Sequence, residues 1–77
     1  MALTEDMADE IAQLALADEL RTGDDQIIQQ VAEILGSSSQ TLQEAFLTSI
    51  RVRRAEKRAR DLLASRAAQN NLSLIHI

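Results

Sequence analysis

Apolar residues recur along this chain at helical spacing, and nowhere do they alternate as a half-buried strand would require. Met7, Ile11, Leu14 and Ala15 form a first run. Thr4 can cap it, and the turn cluster Thr22-Gly23-Asp24-Asp25 should end it near Arg21. Ile27, Ile28, Val31, Ile34 and Leu35 form a second, clearer stripe, with Gln26, Gln29, Gln30 and Glu33 outside it. Asp24 or Asp25 is placed to cap its start, and Gly36 to close its end in a left-handed conformation. Ser37-Ser38-Ser39 reads as a short connection, with Ser39 as the N-cap of a third helix. From Gln40 to about Ala68 nothing breaks that helix, which at 1.5 Å per residue would be roughly 40 Å long.

The third segment changes character midway. Leu42, Ala45, Phe46, Ser49 and Ile50 line its first half; Val52, Ala55, Ala59, Leu62 and Leu63 line a rotated face of its second. The expected core joins Ile28, Val31, Leu35, Leu42 and Phe46. The later small-residue seam is expected to be core as well, with a dimer contact as the lesser alternative, since clean heptads are not sustained. The fold class predicted is all-α: a small three-helix domain whose third helix is long and basic.

Composition supports this. Proline is absent, and alanine and leucine are the commonest residues, with glutamine and glutamate also well represented. At 77 residues the chain is one small domain at most, and such a domain buries little of its surface. There is no cysteine for a disulfide and one histidine, His76, so neither disulfide nor zinc can staple it. Dimerisation is the remaining route. The lack of cysteine fits a reducing, cytoplasmic setting. The acidic start does not read as a secretory signal, and no apolar run is long enough to span a membrane.

Charge is sharply divided. Residues 1–50 hold ten carboxylates and one base, Arg21; residues 51–77 hold seven bases and two carboxylates, Glu56 and Asp61. Arg53, Lys57 and Arg60 form one ridge on the third helix, and Arg51, Arg54 and Arg58 a neighbouring one, opposite the alanine and leucine face. Arg66 completes the set. Such asymmetry points to a charged partner or to internal neutralisation by the acidic first helix. No aromatic residue interleaves the bases, which argues against a stacking platform for single strands or RNA.

The segment Ile28–Phe46 resembles the helix-turn-helix of DNA-binding proteins. Ala32 and Gly36 stand where that pattern has its packed alanine and its turn glycine, and Val31, Leu35 and Leu42 match its apolar positions; Ser37 replaces an apolar residue. The run from Ser38 to Phe46, followed by Arg51–Ala64, is similar to AraC-type regulators, where an arginine-rich helix ending in Leu-Leu follows the recognition helix. Those proteins put a Gly- and Pro-containing loop where this chain has only Leu47-Thr48-Ser49-Ile50.

The resemblance implies base readout by Ser38, Ser39, Gln40 and Gln43, with phosphates held by Arg51, Arg53, Arg54, Lys57, Arg58 and Arg60. Glu44 fits such a face poorly. The alternative is a structural helical hairpin in an interaction module, the same basic ridge docking an acidic protein. Catalysis finds no support: Ser37–Ser39 lack a base, no phosphate loop is present, and Asp6, Asp9 and Glu10 read as a solvated face. The expectation is a DNA-binding regulator, dimeric and without cofactor or metal, with the interaction module as the other reading.

The last six residues, Leu72–Ile77, do not continue anything upstream. They match one reading frame of the transposon-end adapter used in sequencing libraries. They are expected to be foreign to the native chain, which would make 1–71 the domain and leave its natural end open.

Overall fold

A computed structural model describes residues 3–75, with side chains described through residue 69. Its three helices are α1 (Leu3–Thr22), α2 (Gln26–Ser38) and α3 (Gln40–Ile75), and no strand occurs among the described residues. The all-α expectation holds, and α3 runs past the expected end at Ala68. The backbone of Leu72–Ile75 continues this helix. The expectation that Leu72–Ile77 is foreign lies otherwise outside the described residues.

The turns form for local reasons. Gly23 has φ +76°, the left-handed region that glycine enters without a Cβ penalty, and its N–H reaches back to the Glu19 carbonyl at 2.8 Å. Asp24 Oδ1 then accepts from the Gln26 N–H at 2.9 Å and so caps α2, whereas Asp25 makes no side-chain cap. Ser39 alone separates α2 from α3. Its N–H donates to the Leu35 carbonyl at 2.8 Å, closing α2, and its Oγ accepts from the Leu42 N–H at 3.1 Å, opening α3. The expected Ser39 cap is present. The expected three-serine connection is not, because Ser37 and Ser38 belong to α2.

Gly36 also departs from expectation. It does not adopt a positive φ and does not end α2; it lies in the last turns of that helix. Its purpose is space. A methyl group at Gly36 would collide with Gln43 Nε2. With no Cβ there, the Gln43 amide reaches over the helix surface and donates to the Ala32 carbonyl at 2.9 Å. Ala32, 1% exposed, packs one turn earlier. Ala32 and Gly36 are thus the small residues that let α3 lie close to α2.

The core consists of Ala8, Ala12, Ala15, Ile28, Ala32, Phe46 and Ile50, with Phe46 and Ile50 its largest fully buried side chains. Val31, Leu35 and Leu42 pack partly buried against it, as does Ile11. The hairpin core expected from sequence therefore forms. The expected face of α1 forms only in part: Ala15 is buried and Ile11 half-buried, but Ala8 and Ala12 point inward with them, while Met7 is 43% and Leu14 72% exposed. Alanine permits the closest helix approach, and in a chain with one aromatic residue the bulky core is already supplied by Phe46 and Ile50. Ile34, assigned to the α2 stripe, is likewise exposed at 70%.

Two ion pairs fix how α1 meets α3. Arg53 grips Asp9 with two bonds, Nε at 2.7 Å and Nη2 at 2.6 Å, and Arg54 holds Glu19 at 2.9 Å. Asp9 and Glu19 are about 15 Å apart along α1, whereas Arg53 and Arg54 are neighbours whose side chains leave α3 some 100° apart. The two pairs tie α1 to α3 at points more than two helical turns apart on α1. The overall extents are 60 × 31 × 13 Å, so the molecule is long and flat.

Candidate interaction surface on the third helix

Beyond the crossing, α3 leaves the body. Every residue from Ala55 to Gln69 is exposed, so this stretch is an arm with no packing partner among the described residues. The seam expected to be core lies on it: Val52 is 61%, Leu62 61% and Leu63 65% exposed, and Ala55 and Ala59 are exposed too. The reason is geometric. Phe46 and Ile50 face α1 and α2, and the helical repeat carries that inward face on to Arg53, Arg54, Lys57 and Asp61. Val52, Ala55, Ala59 and Leu62 therefore fall on the opposite side.

The six bases of the two ridges have different fates. Arg53 and Arg54 turn inward to Asp9 and Glu19. Lys57 pairs with Asp61 at 2.7 Å and Arg60 with Glu56 at 3.1 Å, both along α3 itself. Arg51, Arg58 and Arg66 form no ion pair among the described residues. The Arg53 hydrogen bonds hold the Asp9 carboxyl below its ordinary value, with Gln13 adding a third bond at 3.0 Å, and Asp9 raises Arg53 in turn. Internal neutralisation by α1 thus claims two bases at the root of the arm and leaves the outer ones.

The four residues assigned to base readout are not brought together as one reading face. Ser38 and Gln40 are exposed at the α2–α3 junction, with Gln40 Nε2 3.4 Å from Glu44 Oε1. Ser39 is half-buried and occupied as a cap; Gln43 is half-buried and occupied by the Ala32 carbonyl. The junction also turns at Ser39 rather than at Gly36, so Ala32-x-x-x-Gly36 serves helix contact here and not a turn.

A shallow open cavity of about 620 Å³ lies where α1 ends beside the root of the arm, lined by Leu16 and Leu20 and rimmed by Arg53, Arg54 and Lys57. A second exposed apolar stripe, Leu3, Met7 and Leu14, runs along the side of α1 away from α3. The sequence pattern grouped Met7 and Leu14 with Ile11 and Ala15 as one apolar run on α1. The signal that could have corrected it was Ala8, Ala12 and Ala15 at i, i+4 and i+7, a small-residue face suited to close packing. No helix of the described residues is long and apolar enough to cross a membrane. No family model, curated protein or solved structure matches this chain.

Proposed function

We propose that this chain is a helical interaction module whose arm docks an acidic amphipathic helix of a protein partner. The observation that carries the reading is the arm itself: an exposed seam of Val52, Ala55, Ala59, Leu62 and Leu63, flanked by Arg51 and Arg58 and followed by Arg66, none of which forms an ion pair among the described residues. Small residues at the centre of a helical face admit a second helix at close range, and leucines beside them supply area to bury. A lone helical stretch of some 15 residues is marginal in water, so docking would also stabilise the arm. A helix laid in such a groove is read through apolar anchors at i, i+3, i+4 and i+7, with charge at the rim for orientation.

Duplex DNA is the competing partner. Exposed Ser38 and Gln40 and the unpaired arginines favour it; the engagement of Gln43, Ser39, Arg53 and Arg54 within the protein leaves it fewer contacts than the sequence pattern implies.

Fluorescence anisotropy separates the two. One probe is a labelled acidic peptide with leucines at helical spacing; the other is a labelled duplex of mixed sequence. The module reading expects saturable peptide binding that Leu62→Ala and Arg58→Ala each weaken. Tighter binding to the duplex at about 50 mM salt, with a log–log salt slope near −3 or steeper, would replace it with the DNA reading.

A further inference from the structure

The acidic amphipathic helix that fits the arm is already present in this chain. We infer that the partner is a second copy, with α1 of one molecule seated on the arm of the next. The inference rests on the arm being a dock for an acidic helix, as proposed above. On α1, Leu3, Met7 and Leu14 stand at i, i+4 and i+11 and are 74%, 43% and 72% exposed. Glu10 lies on the same stripe and Asp6 borders it; neither forms an ion pair among the described residues. The arm's seam, Val52 to Leu63, also covers eleven residue steps, about 16 Å for each stripe. Large side chains on one face meet alanines at the centre of the other, and the carboxylates on and beside the α1 stripe meet the arginines beside the seam.

Packing two arms together is the less favourable choice. It would set Arg51, Arg58 and Arg66 of one copy near those of the other, and two alanines at the seam's centre would bury little area.

The placement of the two faces determines the type of assembly. The seam lies on the side of α3 opposite the core, and the α1 stripe lies on the side of α1 turned away from α3. A flat molecule therefore offers unlike surfaces in different directions. The contact is heterologous, head to tail, so association continues beyond two copies as concentration rises unless a ring closes.

Sedimentation velocity on the full chain tests this. Wild-type mass should rise with concentration and fall with added salt, which screens the rim charges. Leu62→Glu (arm) and Leu14→Arg (α1) both change exposed positions, so each should keep its helical circular dichroism while weakening self-association by about tenfold or more. Mixed together, the two variants retain one intact arm and one intact α1 stripe, and should form a 1:1 dimer that grows no further. A monomer at every concentration would overturn the second-copy inference; if it still binds the acidic peptide, the docking reading survives. A dimer insensitive to Leu14→Arg, or a mixture that fails to associate, would overturn it as well.

Discussion

The two halves of α3 share one helix and obey different physics. From Gln40 to Ile50 the helix is held by its surroundings: Phe46 and Ile50 are fully buried, Gln43 bonds to α2, and Ala8, Ala12 and Ala15 close over it. From Ala55 to Gln69 it has, among the described residues, only its own backbone bonds and two i, i+4 ion pairs, Lys57–Asp61 and Arg60–Glu56. Such pairs add a few tenths of a kcal/mol each, which does not make an isolated helix stable. Arg53 and Arg54 mark the boundary, where α1 crosses. Helix continuity therefore says nothing about where stability resides. The body stores it, and the arm presents a surface.

The sharpest way to break this contrast is truncation on both sides of the boundary. Phe46→Ala should cost about 3–5 kcal/mol, enough to unfold most domains of this size. Leu62→Ala, which removes half as many carbons from an exposed position, should change monomer stability by less than about 0.5 kcal/mol. Chemical denaturation of both variants decides it, and similar losses would mean that the arm packs natively.

Overpacking the crossing comes next. Ala12 is fully buried between α1 and α3, so Ala12→Leu should cost about 1–3 kcal/mol and loosen the body. A smaller effect tests the contact at Gly36. Gln43→Ala removes the bond to the Ala32 carbonyl and should cost about 0.5–1.5 kcal/mol. Gly36→Ala loses that bond through collision but gains about 1 kcal/mol of helix propensity, so it should come out near neutral. In the Gln43→Ala background the collision is gone, and Gly36→Ala should then stabilise. A cost in that background would show that Gly36 is needed for its backbone and not for space.

The smallest expected effect concerns pH. Asp9 is held below its ordinary value of 3.8 by Arg53, so its folded-state pKa lies under its unfolded one. The stability it contributes is complete above about pH 4 and fades as pH falls through the folded value. The difference between wild type and Asp9→Asn should be flat from pH 5 to 8 and shrink below pH 4. A difference that grows as the solution becomes more acidic would contradict the pairing.

Much of the body was legible in the pattern. The three helices, the turn at Gly23 and the Ser39 cap follow from local chemistry, and Ile28 and Phe46 follow from a single dominant stripe. What was not legible is which of two apolar faces wins on a helix that carries both. On α1 the larger residues, Met7 and Leu14, outweigh alanines in any periodicity, yet buried area is only half of packing. The other half is how closely backbones approach, and that depends on the partner. The arm's seam failed for a related reason: a rotated apolar face is visible in sequence, but whether the chain supplies its cover is not. Of the candidate site, the outer bases were legible. The capture of Arg53 and Arg54 by α1 was weighed as a possibility that only the crossing geometry could decide.

The most direct test of the division is amide hydrogen exchange along α3, measured on micromolar protein with and without saturating acidic peptide. Amides of Gln43–Ile50 should be protected in both samples, and those of Ala55–Gln69 should exchange quickly alone and slow markedly when the peptide is bound. An arm protected to the same degree as the body in the free monomer, or one left unchanged by the peptide, would contradict the account.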